Sequence, residues 1–330
     1  MSYLKNSKIM ASGLVLLMAT ALTACCSDDH NQSDNGNLSV RFDWTDQPEA
    51  APATMALAVF ANGAQPVQTA FEGRDGGSLS LPANSYKLIA FNDDTEALFS
   101  RGSTWDDFEI YAQETELVAT ARMFATTRAI PLARGTEDEQ VIFEPDQLWT
   151  SATSDAVVKT DGRQTIVMPM ESAITEYNFT VNNVDNLSYV VDVMATLSGM
   201  SASWLPAQHR CSDTHCIIPF SLSGEGSTLH GTIRTFGHCP DEGHEDPDDH
   251  ANHILTIYAQ MEDGTKVYFT TDVTEEMHDP EHHSEEGGKG DATIPIVIDQ
   301  LPLPTPISNG SGLQPEVGEW VELNIKIPMN

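Results

Sequence analysis

Basic residues are scarce in this chain of 330 residues, which has 16 lysines and arginines against 49 aspartates and glutamates. The formal net charge of -33 argues against nucleic acid as a partner, because a polyphosphate is bound by a basic surface that replaces its counterions. The same balance argues against docking on anionic lipid through side chains. Hydrophobic residues are 40% of the chain, however, so enough apolar material remains for packed cores.

Long hydrophobic runs are also few. One of them, Met10–Leu22, is shorter than the about 20 residues that a membrane-spanning helix needs. It follows a segment with two lysines and no acid, and this order is typical of a signal peptide. The run ends in Leu22-Thr-Ala-Cys25, which resembles the lipobox at which bacterial lipoproteins are cut before the lipidated cysteine. We therefore predict a lipoprotein signal peptide over residues 1–24 and lipidation of Cys25.

A polar stretch follows the cysteine, and its composition predicts a lipidated disordered tether over residues 25–37. Its start, Cys26-Ser-Asp-Asp29, resembles the acidic tag that directs lipoproteins of the Bacteroidetes type to the cell surface. One acyl chain binds a membrane only marginally, whereas a multiply acylated N-terminus binds it stably. We expect a lipid-anchored protein of the outer membrane, exposed at the cell surface.

Helical periodicity is missing as well, and strict alternation takes its place. In Leu38–Trp44 every second residue is apolar, which is the pattern of a half-buried strand. Glu262-Asp-Gly264 lies between two such runs and has the chemistry of a hairpin turn. The other predicted strands are Thr54–Phe60, Gly77–Leu81, Ser85–Phe91, Glu116–Ala121, Thr165–Met170, Ile174–Val181, Tyr189–Thr196, Cys216–Leu222, Thr228–Phe236, His253–Met261, Thr265–Val273, Thr293–Asp299 and Glu319–Pro328.

Strands joined by short turns predict an all-β fold of β-sandwiches and argue against βαβ units. The length suits two domains. One predicted strand ends at residue 170 and the next begins at residue 174. We therefore place an N-terminal β-sandwich domain at residues 38–171 and a C-terminal β-sandwich domain at residues 172–330. No long linker separates them, so we expect the two domains to pack against each other.

Cysteine is scarce too, and the five residues form no framework that spans the chain. Cys211 and Cys216 are close in sequence, and in an exported protein we favour a local disulfide between them. Cys239 is then the remaining thiol, or it replaces one member of the pair. Zinc binding by His209, Cys211, His215 and Cys216 is the alternative, although four ligands so close in sequence would strain a tetrahedral site.

Histidines are concentrated in two acid-rich segments of the second half. The first segment contains His238, Cys239, His244, His250 and His253, and the second contains His278, His282 and His283. All of these side chains can bind Zn²⁺, and loops from neighbouring hairpins could converge. The spacing nevertheless lacks a CxxC pair or an HExxH motif. We expect solvated loops with weak adventitious ion binding, and we predict no specific metal site and no cofactor.

No motif marks an enzyme, since the Gly-x-Ser-x-Gly nucleophile elbow is missing. Aromatic side chains could still bind a sugar. Trp44 and Trp320 fall in strand patterns and are predicted to lie in the core, whereas Trp105 and Trp204 lie near turns and are the better candidates for exposure. Even for these two, a place in the core or at a domain interface is the safer expectation. We predict a protein that is not an enzyme.

Several short motifs occur in the order typical of one family. They are Val40-Arg-Phe-Asp-Trp44, Leu81-Pro-Ala-Asn-Ser-Tyr86, Ala90-Phe-Asn-Asp-Asp-Thr-Glu96, Pro145-Asp-Gln-Leu-Trp149, Asp272-Val-Thr274 and Gly312-Leu-Gln-Pro-Glu-Val-Gly-Glu-Trp320. Together with the lipobox, they make nearly the whole mature chain resemble the fimbrillin-like lipoproteins of Bacteroidales, and most closely an uncharacterised family of that group.

The resemblance implies two consecutive transthyretin-like or Ig-like β-sandwich domains and a role as a stalk, tip or anchor subunit of surface fimbriae, or in adhesion. In such stalks one subunit donates a strand to a groove of the next, which satisfies an open sheet edge. The implied partners are the membrane, through the N-terminal lipid, and other fimbrial or surface subunits. The alternative is a glycan-binding surface lipoprotein of a nutrient-uptake system.

The resemblance also implies a processing step, because a trypsin-like protease removes the first strand of stalk subunits after an arginine. Arg41 lies inside the first predicted strand, and Arg128 and Arg134 lie in a predicted loop. None of the three is a clear match for the cleavage site. An anchor subunit keeps its lipid and its first strand and needs no such cleavage.

Overall fold

The structure is a computed structural model that describes residues 35–117, 130–239, 252–278, 294–306 and 319–323. The predicted signal peptide and Cys25 lie outside these residues. Strands dominate the described chain, and helix is confined to short pieces such as α1 (Thr274–Met277). Within the described ranges, no helix has the length and apolar character needed to cross a membrane. The predicted all-β class is confirmed.

The first half of the chain forms two facing sheets. Its strands are β1 (Asn35–Asp43), β2 (Thr54–Phe60), β3 (Val67–Glu72), β4 (Gly76–Pro82), β5 (Asn84–Asn92), β6 (Leu98–Arg101), β7 (Glu109–Ala112), β8 (Gln140–Val141), β9 (Trp149–Val158), β10 (Arg163–Pro169) and β11 (Glu171–Ser172). One sheet has the order β10-β1-β4 and the other β11-β9-β5-β2-β3. Leu38, Val40 and Phe42 of β1 lie with Leu57 and Leu88 in the core between them.

The sheet that contains β2 is buried on both faces. Leu57 and its alternate neighbours pack against β1, while Ala58 and Phe60 belong to a second core. There the Phe60 ring contacts Phe108 edge to face at 5.5 Å between ring centroids. Burial on both faces explains why β2 is a continuous apolar run, whereas β1 alternates.

The strands of the second half contribute to four sheets. Its strands are β12 (Thr175–Val181), β13 (Val184–Asp185), β14 (Val190–Ser201), β15 (Ser203–Leu205), β16 (Arg210–Cys211), β17 (His215–Ser221), β18 (Ser223–Glu225), β19 (Thr228–Thr235), β20 (Ile254–Met261), β21 (Lys266–Asp272), β22 (Ile294–Ile298), β23 (Leu301–Pro302) and β24 (Trp320–Glu322). The sheet orders are β18-β19-β12-β22, β24-β21-β20-β14-β17-β8, β16-β15-β7-β6 and β13-β23.

Both halves arrange their main strands in the same order. β1 lies between the parallel strand β10 and the antiparallel strand β4, and β12 lies between the parallel strand β22 and the antiparallel strand β19. In the facing sheets, β3-β2-β5-β9 corresponds to β17-β14-β20-β21. The fold is therefore a repeated β-sandwich in which the first strand of each copy is central.

The two halves share part of their structure. β7 pairs with β15 and β8 pairs with β17, and one buried cluster includes side chains from both sides of residue 171. The strands of the first copy end at Ser172 and those of the second begin at Thr175. The exact domain boundary at residue 171 stays a prediction.

Most predicted strands coincide with observed ones, and β2 has the predicted bounds. β1 begins at Asn35, so the last residues of the predicted tether belong to a strand, because Gly36 and Asn37 pair with Leu81 and Ser80 of β4. Among the strands of four or more residues, the sequence analysis missed β3, β6, β7 and β9. The predicted strand Glu116–Ala121 falls mostly outside the described residues.

Candidate functional site

The resemblance implies that a protease removes the first strand of some subunits. In this structure that strand, β1, is paired on both sides in its sheet. β1 pairs along Asn37–Asp43 with β10 and along Asn35–Arg41 with β4. Its three inward side chains Leu38, Val40 and Phe42 are at most 4% exposed. Removal of this strand would therefore open two hydrogen-bonded ladders and the core behind them.

Arg41 is exposed on β1, but its backbone is paired on both sides, with Val167 of β10 and Gly76 of β4. A protease needs an extended, accessible backbone, which a central strand does not offer. Arg134 is exposed in a loop, with its Nη2 3.6 Å from Glu322 Oε2. Arg128 lies outside the described residues.

The disulfide predicted between Cys211 and Cys216 is absent from the structure, where both are thiols. Cys211 lies on β16 and its Sγ donates to the Phe236 carbonyl oxygen at 3.0 Å. Cys216 lies on β17 in a different sheet, opposite Met200 of β14. The short intervening loop thus passes between two sheets, which the sequence spacing did not reveal.

Burial raises the pKa of the Cys216 thiol well above its usual value, and the neighbouring Glu139, Cys239 and Cys211 add to this shift. Glu139 is half-buried, and its Oε2 accepts a hydrogen bond from the Gly199 amide at 2.9 Å. Burial raises the pKa of Glu139 to about 7, and the hydrogen bond opposes the shift. A thiol in such surroundings is held in its neutral form.

Three histidines converge close to these thiols. His238 follows β19, His253 immediately precedes β20, and His278 follows the short helix α1. His253 is fully buried, and the other two are half-buried. One nitrogen from each ring lies within 4.8 Å of the nitrogens of the other two, and within the described ranges this is the only such group of three or more potential metal ligands.

Individual atom pairs in the cluster are closer still. His253 Nε2 lies 2.7 Å from His238 Nδ1 and 3.1 Å from His278 Nε2. The opposite nitrogen of His253, Nδ1, lies 3.2 Å from the Ser198 carbonyl oxygen. His238 Nε2 lies 2.9 Å from the hydroxyl of Tyr177, which is buried on β12. The imidazoles thus face one another, and an oxygen atom lies behind the rings of His253 and His238.

An irregularity in β14 shapes the pocket for His253. The register with β17 shifts between Leu197 and Met200, as in a β-bulge. Gly199 in this bulge has φ 76, and a Cβ there would lie 2.5 Å from the Asn252 carbonyl oxygen and 2.8 Å from His253 Nδ1. Only glycine fits both the backbone conformation and the close approach of the ring.

The helix α1 connects His253 with His278. The His253 amide donates to Thr274 Oγ1 at 2.9 Å, and the Val273 amide donates to the His253 carbonyl at 2.9 Å. One turn later, the His278 amide donates to the Thr274 carbonyl at 3.1 Å. Thr274 at the start of the helix therefore contacts both histidines.

Burial is the main cause that lowers the pKa of His253 to about 4, and the nearby His278 lowers it further. The hydrogen bond to Ser198 opposes this shift. Burial also raises the pKa of Tyr177 far above its usual value. At neutral pH, His253 is therefore neutral and Tyr177 keeps its hydroxyl proton.

The structure brings together only some of the histidine and cysteine candidates of the sequence analysis. His238 and His253 come together, and they are joined by His278 from the second acid-rich segment. His244 and His250 lie outside the described residues, whereas Cys239 is buried with its Sγ 3.5 Å from the Ser212 carbonyl oxygen. We expected these segments to be solvated loops, but His238, His253 and His278 lie at the ends of the segments, next to described strands and helix, and come together.

The alternative zinc set of His209, Cys211, His215 and Cys216 does not form a group within the described part of the chain. His209 Nε2 instead lies 3.3 Å from Glu171 Oε2, and its ring stacks edge to face on Trp204. The sequence analysis also missed Tyr177 and Ser198. Neither residue type signals a site without the fold that places it behind a histidine.

The tryptophans offer no exposed platform. Trp204, a candidate for exposure, is 1% exposed, and Trp105 is half-buried against Phe60. Trp44 is buried in the core as predicted, whereas Trp320 is half-buried against Tyr258. For Trp204 the safer expectation of a place in the core is the one the structure shows, since β15 pairs with β7 and its ring belongs to the buried cluster.

The fold defines a class of all-β proteins built from repeated sandwiches. The structure is similar to a crystal structure of a "putative adhesin" from Bacteroides ovatus, with a TM-score of 0.61 and 17% identity over 87% of this chain and 99% of that chain. Residues 26–221 match the family "Domain of unknown function (DUF5119)", and the chain belongs to this family.

The chain is also similar in sequence to a Bacteroides ovatus protein along nearly the whole length of both chains. The chain is 21% identical, over 96% of its own length and 98% of the other, to a protein named "Putative fimbrium anchoring subunit Fim4B" from Bacteroides ovatus.

Proposed function

We propose that this protein is a fimbrial subunit of the anchor type, held at the cell surface by a lipid on Cys25. The observation that carries the proposal is end-to-end similarity to a protein named as a fimbrium anchoring subunit. The lipobox before Cys25 and the fold shared with a structure named as an adhesin support it. The role is one of attachment and assembly, and it requires no catalysis.

The pairing of β1 supports an anchor over a stalk subunit, because the backbone of Arg41 is paired on both sides and is not accessible to a protease. A stalk subunit gives up its first strand so that a donated strand can enter the groove. Here Leu38, Val40 and Phe42 are buried, and each such side chain contributes about 1.5–3 kcal/mol when fully buried. Because β1 fills the groove between β10 and β4 itself, the sandwich is complete without a donor strand.

Assembly with other fimbrial subunits would then use the outer strands of the sheets. In the described residues β3 and β22 lie at sheet ends, and each presents one strongly exposed valine, Val67 and Val297. Such edges provide unpaired N–H and C=O groups that an added strand can satisfy. We propose strand addition at a sheet edge as the mode of contact with the next subunit.

Glycan binding remains the second candidate function, but no observation favours it. All five tryptophans are buried or half-buried, so no pair of coplanar exposed tryptophan rings is available for stacking on a sugar.

The experiment replaces Cys25 with alanine in the native bacterium and measures where the fimbriae are found. Cys26→Ala is the matched control, because it changes the adjacent thiol and leaves the lipobox intact. We expect Cys25→Ala to release fimbriae into the medium, while Cys26→Ala keeps them on the cell. Retention of fimbriae by the Cys25→Ala cells would overturn the anchor function.

A further inference from the structure

We propose that His238, His253 and His278 form a binding site for one divalent transition-metal ion of the Zn²⁺ class. The ligand atoms are His238 Nδ1, His253 Nε2 and His278 Nε2, which face one another in the second sandwich. Imidazole nitrogen is a preferred ligand of Zn²⁺, and three protein ligands with a water in the fourth position is an established arrangement for this ion.

The distances in the cluster are close to those of a metal site. Nitrogens at about 2.0–2.1 Å from a tetrahedral ion are about 3.3 Å from one another. Here the separations are 2.7 Å and 3.1 Å for the two pairs that include His253 Nε2, and all three atoms lie within 4.8 Å. Shifts of less than about 1 Å for each ring would bring the three nitrogens to the separation that the ion requires.

The oxygen atoms behind two of the rings allow the tautomers that a metal needs. The Ser198 carbonyl can only accept, so His253 Nδ1 carries the proton and Nε2 presents its lone pair to the cluster. The Tyr177 hydroxyl can accept from His238 Nε2, which leaves the lone pair on Nδ1. A ligand histidine typically donates its other N–H to an oxygen in this way.

Hydrogen bonds alone account less well for the arrangement. The Nε2 atom of His253 has one lone pair in the ring plane, yet it has two ring nitrogens at close distance, one on His238 and one on His278. One lone pair makes one well-directed hydrogen bond. An ion placed between the three rings takes a lone pair from each of them.

The scaffold holds the ligands in place before an ion arrives. The β14 bulge supplies the Ser198 carbonyl and the close approach at Gly199, and Thr274 connects His253 with His278. Because the ligand side chains are already held in position, less conformational entropy is lost when an ion binds. The net charge of -33 further favours the approach of a cation.

The test is calorimetric titration of the full-length, chelator-treated chain in detergent with ZnCl₂ near neutral pH. We expect one ion per chain. His238→Gln and His278→Gln should each weaken binding at least about 100-fold. His278 is half-buried and its change should leave the fold intact, so this variant tests the site even if a change at buried His253 prevents folding.

Two controls separate this site from adventitious binding. His230→Gln changes an exposed histidine of β19, and His282→Gln with His283→Gln changes histidines of the second acid-rich segment. Both should bind like the unchanged chain. The proposal would be overturned by the absence of a stoichiometric transition, or by binding that survives His238→Gln and His278→Gln.

Discussion

The two sandwiches follow one strand order but differ in what is attached to it. In the first copy, β6 and β7 are inserted between β5 and β9 and cover the outer face of the β2 sheet. In the second copy, the segments between the main strands carry Cys211, Cys239 and the three clustered histidines, and a bulge in β14 creates the pocket for His253. The two copies therefore share their main strands, whereas the added segments cover a sheet in the first copy and hold a cluster of potential ligands in the second.

The largest expected effect comes from removing a buried aromatic side chain from the first strand of each copy. Phe42 of β1 and Phe179 of β12 are both buried and each lies on the first strand of its copy. Phe42→Ala and Phe179→Ala should each lower the free energy of unfolding by about 3–5 kcal/mol. Urea denaturation measures this loss. A loss below about 1 kcal/mol at either position would show that the first strand of that copy is not a core element.

Two glycines, one in each copy, differ in the space around them. Gly199 of the second copy and Gly63 of the first both have positive φ, but a Cβ would meet close neighbours only at Gly199, whereas the space around Gly63 is open. Gly63→Ala should cost about 1–2 kcal/mol for the backbone alone. Gly199→Ala should cost about 2–4 kcal/mol, because the Asn252 carbonyl and His253 must also move. Equal losses in thermal unfolding would contradict the close packing at His253.

Glu139 lies in the first half of the chain but contacts Gly199 of the second copy, and it makes stability depend on pH. Its pKa rises from 4.5 to about 7 on folding, so between these values the unfolded chain has lost a proton that the folded chain keeps. Stability from this group is therefore lost as the pH rises from 4.5 to 7. Glu139→Gln should raise the free energy of unfolding at about pH 8 by on the order of 1 kcal/mol, with no gain at about pH 4.

The control for this prediction is Glu137→Gln, which changes an exposed carboxylate two residues away. It should leave the dependence of stability on pH unchanged. Identical urea midpoints for Glu139→Gln and the unchanged chain at both pH values would contradict the proposed burial of the charge.

The smallest expected effect concerns the residue behind His238. Tyr177→Phe removes the hydroxyl that lies 2.9 Å from His238 Nε2 and should weaken zinc binding about tenfold. Tyr86→Phe is the matched change in the first copy, where the hydroxyl donates to the Pro82 carbonyl, and it should leave zinc binding unchanged. Calorimetry that shows the same affinity for both variants would remove Tyr177 from the site.

Sequence patterns predicted the sandwich class and the strands with a clear apolar signal, such as β1 and β2. They missed β9 because Trp149–Val158 is rich in Ser, Thr and Asp and only some of its side chains are buried. They also missed β6 and β7, which have four residues each and gain their burial only by covering another sheet. Short strands stabilised by tertiary packing leave little trace in local periodicity.

Only part of the histidine cluster could be predicted from the sequence. His238 and His253 were recognised as candidate ligands, but their spacing matches no metal motif. The antiparallel pairing of β20 with β21 is what returns the chain so that His278 reaches His253. The β14 bulge and Tyr177 come from still other strands, so the site could be found only from the fold.

The most direct test of the anchor function is the mass of the N-terminal peptide of the protein isolated from fimbriated cells. An anchor that keeps its lipid and β1 should yield an acylated peptide that begins at Cys25. A stalk-type subunit cleaved after Arg41 would begin at Phe42 and carry no lipid. The first result is the one that the position of β1 predicts, and the second would contradict the anchor function.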